Sequence, residues 1–170
     1  MHRFAELADW SAQMTLDVLE ERERELRVAL ETSGATNLVK GLQAIRLQRA
    51  VQAVGIFSIF EAMVQTRFGK EEGFQRVRRI LDEENETECR RRFDQCYAAI
   101  NALKHGYGRS YGLLLDDRHL PFRVKRAEDG FFFEGDVSEA NILVDADDAF
   151  VRTCIETIAE VSVIVERASC

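Results

Sequence analysis

The feature that most constrains this chain is its shortage of backbone breakers. Among 170 residues there is one proline, Pro121, and only ten glycines. Long helices tolerate such a composition, whereas a many-turned β-sandwich does not. Apolar residues recur at helical spacing over most of the length. Residues 4–32 predict a first helix with an apolar face begun by Phe4, Leu7, Trp10, Met14 and Leu16 and continued by Leu19, Leu26 and Leu30. Residues 20–25 are a solvated charged tract in which Glu20 and Arg24 have i,i+4 spacing. Gly34 suits the position just past the helix end.

Thr36 or Asn37 is suited to cap a second helix over 38–68. Its stretch 53–64 is apolar almost all round, the pattern of a central helix. A short helix over 74–83 has Phe74, Val77, Ile80 and Leu81 on its inner edge and Arg76, Arg78 and Arg79 outside. Residues 87–105 form a fourth, with Cys89, Phe93, Cys96, Ile100 and Leu103 at alternating spacings of four and three. Residues 107–119 read as a loop or irregular helix. The segments 121–126 and 131–137 alternate around Asp129-Gly130 and predict a β-hairpin, which Ile142 to Val144 can extend. Asp145 is placed to cap a last helix over 146–167, with Phe150, Cys154, Ile158, Val161 and Val165 inward. The expected architecture is mainly α: one domain over 1–170, an up-and-down bundle with a small hairpin inserted before the last helix. Its parts are an N-terminal helix (1–34), core helices (38–106), the loop and hairpin (107–145) and a C-terminal helix (146–170).

No apolar run approaching the ~20 residues of a membrane span is evident, and the first residues have no signal-peptide pattern. The expectation is a cytoplasmic protein with no membrane partner. The four cysteines, at 89, 96, 154 and 170, lack metal-ligand spacing and read as free thiols. Neither a metal nor a cofactor is expected. Net charge is −7, which disfavours general nucleic-acid binding, but the charge is uneven. Residues 104–126 hold six basic and two acidic side chains, and 127–170 hold two basic and eleven acidic. The basic island follows the one unusual motif.

That motif is INALKHGYGRSY (100–111). Asp94, Tyr97, Asn101 and His105 form a polar stripe on one face of the fourth helix. His105 lies in its last turn, where the dipole favours the imidazolium. Gly106 and Gly108 allow a sharp exit. Arg109, Ser110 and Tyr111 then return polar groups towards the helix end, a set able to receive one phosphate. Ser58, Glu61 and Gln65 make a narrow polar stripe on the second helix, so Glu61 is a candidate to join the site or to form a buried ion pair with Arg109 or Lys104. Phe132 is a candidate stacking contact. The bland alternatives are a helix-terminal His105 cation, a structural Arg109 salt bridge with the acids of 127–170, and interface roles for Asn101 and Tyr97.

A helix ending in Asn-x-x-x-His-Gly within an all-α bundle resembles the HEPN superfamily (higher eukaryotes and prokaryotes nucleotide-binding domains). The resemblance spans roughly residues 38–170. The family motif is Arg-x(4–6)-His, often with Asn after the Arg. His105 matches the motif His and Asn101 the Asn, while Ile100 stands where the Arg would be. Lys104 and Arg109 are the nearby cations able to substitute. The resemblance implies a homodimer with facing motifs and an RNA-directed role in defence or toxin–antitoxin systems. Many members are metal-independent ribonucleases. It also implies an antitoxin or nucleotidyltransferase partner. On that basis His105, Asn101 and Arg109 are the expected catalytic set, and Lys104, Tyr97, Ser110, Tyr111 and Glu61 the expected substrate contacts. The alternatives are a non-catalytic nucleotide- or protein-binding module and a dimeric interaction protein without a ligand.

Overall fold

A computed structural model describes residues 1–69, 73–126, 129 and 142–168. Six helices follow in order among them: α1 (His2–Thr32), α2 (Thr36–Phe68), α3 (Gly73–Glu83), α4 (Thr87–His105), α5 (Arg109–Asp116) and α6 (Asp148–Arg167). The expected mainly helical bundle is what forms. Helix α2 is central, touching α1, α3, α4 and α6. The apolar positions foreseen on α3 and α6 are all buried, as are Cys89, Phe93, Cys96 and Ile100 on α4. Phe57, Phe60, Phe74 and Phe93 pack with ring centroids 5.0–6.3 Å apart and join α2, α3 and α4. Tyr97 stands at the border of this cluster, edge-on to Phe74 at 5.1 Å.

Helix α1 departs most from its expected packing. Ala5, Ala8, Ala12, Leu16 and Leu26 face the core, while Leu7, Trp10 and Met14 face outward. Small side chains let α1 lie close against α2 and α6, and interaxial distance follows side-chain size at the contact. The larger residues are displaced to the far face. Glu20 does not pair with Arg24, whose guanidinium instead reaches Glu21 one turn away.

The helix ends also differ. Ser33 caps α1 in extended backbone at φ −147°, so Gly34 makes no left-handed turn. Helix α2 begins at Thr36 behind Ala35, without a side-chain cap, because Thr36 and Asn37 already lie in the first turn. At α6 the capping carboxylate is Asp147, which accepts from the Phe150 N–H at 2.8 Å. Asp145, two residues earlier, instead accepts from Arg123 at 3.4 Å. Burial, then the neighbouring Asp147 charge, pushes the Asp145 carboxyl up.

Among the described residues there is no strand. Val124 and Val144 form an isolated antiparallel bridge, flanked by Lys125 N–H to Leu143 O at 2.9 Å and Asp145 N–H to Arg123 O at 3.0 Å. The chain therefore pairs 121–126 with the run before α6. The expected second hairpin arm, 131–137, lies outside the described residues with Phe132, as does Cys170. Against expectation, α2 is long and apolar enough to match a membrane span, with a mean hydropathy of 1.2 over 18 residues. It touches four other helices, and one third of that window is buried among them.

One buried charge network ties three helices. Arg49 of α2 is 6% exposed and reaches Glu23 of α1 at 2.5 Å and Asp148 of α6. Burial alone would pull the Arg49 pKa down, and the bonds to Glu23 and Asp148 outweigh it and raise it. Burial alone would raise the Glu23 pKa, and the bonds from Arg49 and Arg27 reverse that and lower it.

Candidate functional site

Helix α4 stops at Gly106, whose φ of +73° is a left-handed value that favours glycine. Its N–H closes the last turn onto Ala102 O at 2.9 Å. The chain passes Gly108 in extended backbone and starts α5 at Arg109. The segment expected to be a loop or irregular helix is thus two helical turns folded back along α4. Leu114, 2% exposed, pins it there. Between the two helices lies a cleft of about 540 Å³.

The cleft collects much of the expected constellation. Asp94, Tyr97 and Asn101 line it from α4, and Arg109 and Ser110 from α5. Arg78 of α3, Gln95 and Asp117 complete its polar wall. Asp94 accepts from Arg78 Nε at 2.7 Å and also bonds Arg90. The Arg78 guanidinium lies over the Tyr97 ring at 5.2 Å and the Phe93 ring at 5.9 Å. Burial, with Arg78 adding like-charge repulsion against the pull of Asp82, lowers the Arg90 pKa. Asp117 accepts from Gln95 Nε2 at 2.6 Å and from the His119 N–H at 2.8 Å. These bonds, Gln95 first, hold the Asp117 carboxyl below its usual range. Gln95 itself is 4% exposed, and its Oε1 is buried with no hydrogen-bond partner among the described residues.

Both cleft carboxylates are therefore compensated from within the chain. Arg78 is committed to Asp94. Among the described residues Arg109 makes no ion pair, and its exposed guanidinium is the cation left to meet a ligand. The alternative in which Arg109 pairs with the acidic tail finds no partner in the described part of 127–170.

Other expected members lie elsewhere. His105 is exposed at the last position of α4, one turn or about 6 Å beyond Asn101, and does not line the cleft. Lys104 is exposed beside it and also outside the lining. Tyr111 is 8% exposed, and its hydroxyl donates to Lys125 O at 2.6 Å, which fixes the 120s segment rather than facing a ligand. Glu61 is half-buried on α2, outside the lining, and pairs with neither Lys104 nor Arg109. Gln65 of the same stripe lies 3.1 Å from where a Cβ on Gly73 would stand, so that end of the stripe faces α3. Ile100 is 2% exposed, so the position where the resemblance expects Arg points into the core.

Sequence reasoning missed Arg78, Gln95 and Asp117. Arg78 had a usable signal, since a carboxylate at Asp94 facing other helices calls for a cation from a neighbour. Gln95 and Asp117 had none, because their pairing depends on α5 folding back. No protein-family model, curated protein or solved structure matches this chain.

Proposed function

We propose that the chain is a HEPN-like, RNA-directed protein of the defence or toxin–antitoxin kind that holds a phosphodiester in the α4–α5 cleft. The observation that carries this reading is the gathering of Asn101, Tyr97, Ser110 and an Arg109 with no ion pair among the described residues around one 540 Å³ space. Arg109 supplies a planar fork for phosphate oxygens, and Asn101 and Ser110 supply neutral hydrogen bonds. In this reading Arg109, not Lys104, takes the part of the family Arg that Ile100 has vacated.

Cleavage falls to His105. As an exposed imidazole it is free to take the proton of a 2′-hydroxyl. The oxygen then attacks the adjacent phosphorus, and the 5′-oxygen leaves with a proton from the second His105 of a homodimer. The products are a 2′,3′-cyclic phosphate and a 5′-hydroxyl. Arg109 offsets charge on the five-coordinate transition state. An antitoxin or nucleotidyltransferase partner belongs with this class.

A second reading, RNA or nucleotide binding without cleavage, is favoured by the position of His105 outside the cleft lining and by the buried Ile100. Labelled single-stranded RNA incubated with the protein in EDTA separates the two. The first reading predicts cleavage that His105→Ala abolishes while binding persists, and Arg109→Ala loses both. Binding that depends on Arg109 with no cleavage selects the second. Absence of binding overturns both.

A further inference from the structure

Helix α1 carries an exposed apolar stripe with no partner among the described residues. Leu7, Trp10, Met14 and Val18 are 70%, 74%, 69% and 68% exposed. Their spacing of three, four and four puts them within an arc of about 80° on the helix surface. Three charged residues share that arc, Arg3 before the stripe and Glu21 and Glu25 after it.

The stripe is nearly symmetric about its own middle. Reversing the helix around residue 12 brings position 10 opposite 14 and 3 opposite 21, and sets 7 one residue, about 1.5 Å along the axis, from exact opposition to 18. We propose that this face docks a second copy of the chain, with the two α1 helices antiparallel across a two-fold axis. Leu7 then meets Val18 of the other copy, and Trp10 meets Met14. Arg3 of one copy meets Glu21 of the other, so opposite charges close both ends of the seam. Glu21 shares its carboxylate with Arg24 of its own helix, which leaves room for a second donor. On one flank Glu6 and Asp17 of opposite copies approach each other in solvent, a screened repulsion that is small beside the apolar contact.

The area is sufficient. The four side chains expose roughly 600 Å² per copy, so their complete burial would remove about 1,200 Å² in total, the lower end of specific stable interfaces. Trp10 lies beside the axis, where a large aromatic contributes most. Helix α1 touches α2 and α6 and neither α4 nor α5. A dimer joined through its outer face leaves both α4–α5 clefts open, each with its own Arg109. This pairing does not bring the two His105 rings together, so the contact that cleavage requires is a separate one, and the inference stands apart from the RNA-directed reading.

Sedimentation of the full chain across the micromolar range tests it. The wild type is expected to be a dimer. Trp10→Lys and Met14→Lys, both at exposed positions, are expected to weaken it at least about 30-fold with unchanged circular dichroism. Arg3→Glu and Glu21→Arg are each expected to weaken it about 5-fold, and the double exchange to restore it. A monomeric wild type overturns the proposal, including one that adsorbs to anionic vesicles through Trp10. So does a dimer insensitive to Trp10→Lys and Met14→Lys, or a double exchange that fails to restore the paired state.

Discussion

Replacing Ile100 by arginine writes the HEPN motif residue into the chain, and the structure predicts damage rather than repair. Ile100 is 2% exposed and belongs to the main core cluster. Losing its buried surface costs about 2 kcal/mol. A guanidinium forced into the same space adds about as much again, even if the long stem lets the head lean towards solvent. The total of about 4 kcal/mol is a large part of the ~5–15 kcal/mol that holds a domain together. It corresponds to a fall in Tm of about 8–16 °C for a chain of this size. Urea unfolding followed by circular dichroism measures the change, with Asn101→Arg as the control. Asn101 is half-buried on the cleft wall, so its replacement is expected to cost under about 1 kcal/mol. If Ile100→Arg leaves the urea midpoint unchanged, α4 presents a different face to the core, and the assignment of the cleft to Asn101 and Arg109 fails with it.

Three further outcomes follow from the fold. Arg49→Met leaves Glu23 and Asp148 without their shared cation, and with those partners partly exposed the loss is about 2–3 kcal/mol in urea unfolding at pH 7. Because the Glu23 pKa is lowered in the fold, its share of stability is present above the usual carboxylate range and disappears as pH falls from the ordinary 4.5 through the depressed value, so the gap between wild type and Arg49→Met narrows in acid. Gly106→Ala places a Cβ at φ +73° with open space around it, so backbone strain alone lowers stability by about 1 kcal/mol in the same assay. Cys89, whose thiol burial pushes up to about 12, and the buried Cys96 and Cys154 are expected to resist iodoacetamide until the chain unfolds, as peptide mass mapping reads.

The helices were legible because buried apolar spacing writes their period into the chain. The stripes Phe150–Val165 and Cys89–Ile100 name their own inner faces. Helix α1 misled for a physical reason. Its large apolar residues and its alanines both keep helical spacing, and only the closeness of α2 and α6 decides that Ala5, Ala8 and Ala12 go inward. The polar stripe Asp94, Tyr97 and Asn101 was readable from i,i+3 and i,i+4 spacing alone. The return of Arg109 and Ser110 was readable from Gly106 and Gly108. His105 was not placeable, since the same stripe that sets Asn101 in the cleft runs out at the helix end. Tyr111 failed because its neighbour in space, Lys125 O, lies on a segment whose path no local pattern gives.

The central claim is that the α4–α5 cleft receives an RNA phosphate through Arg109. Fluorescence anisotropy of a labelled single-stranded RNA, titrated with wild type and with Arg109→Ala over a range of salt concentrations, tests it most directly. The account predicts binding at least about 10-fold weaker in Arg109→Ala, with the salt slope reduced by about one phosphate contact. Equal affinity and equal salt slope for the two proteins would contradict it.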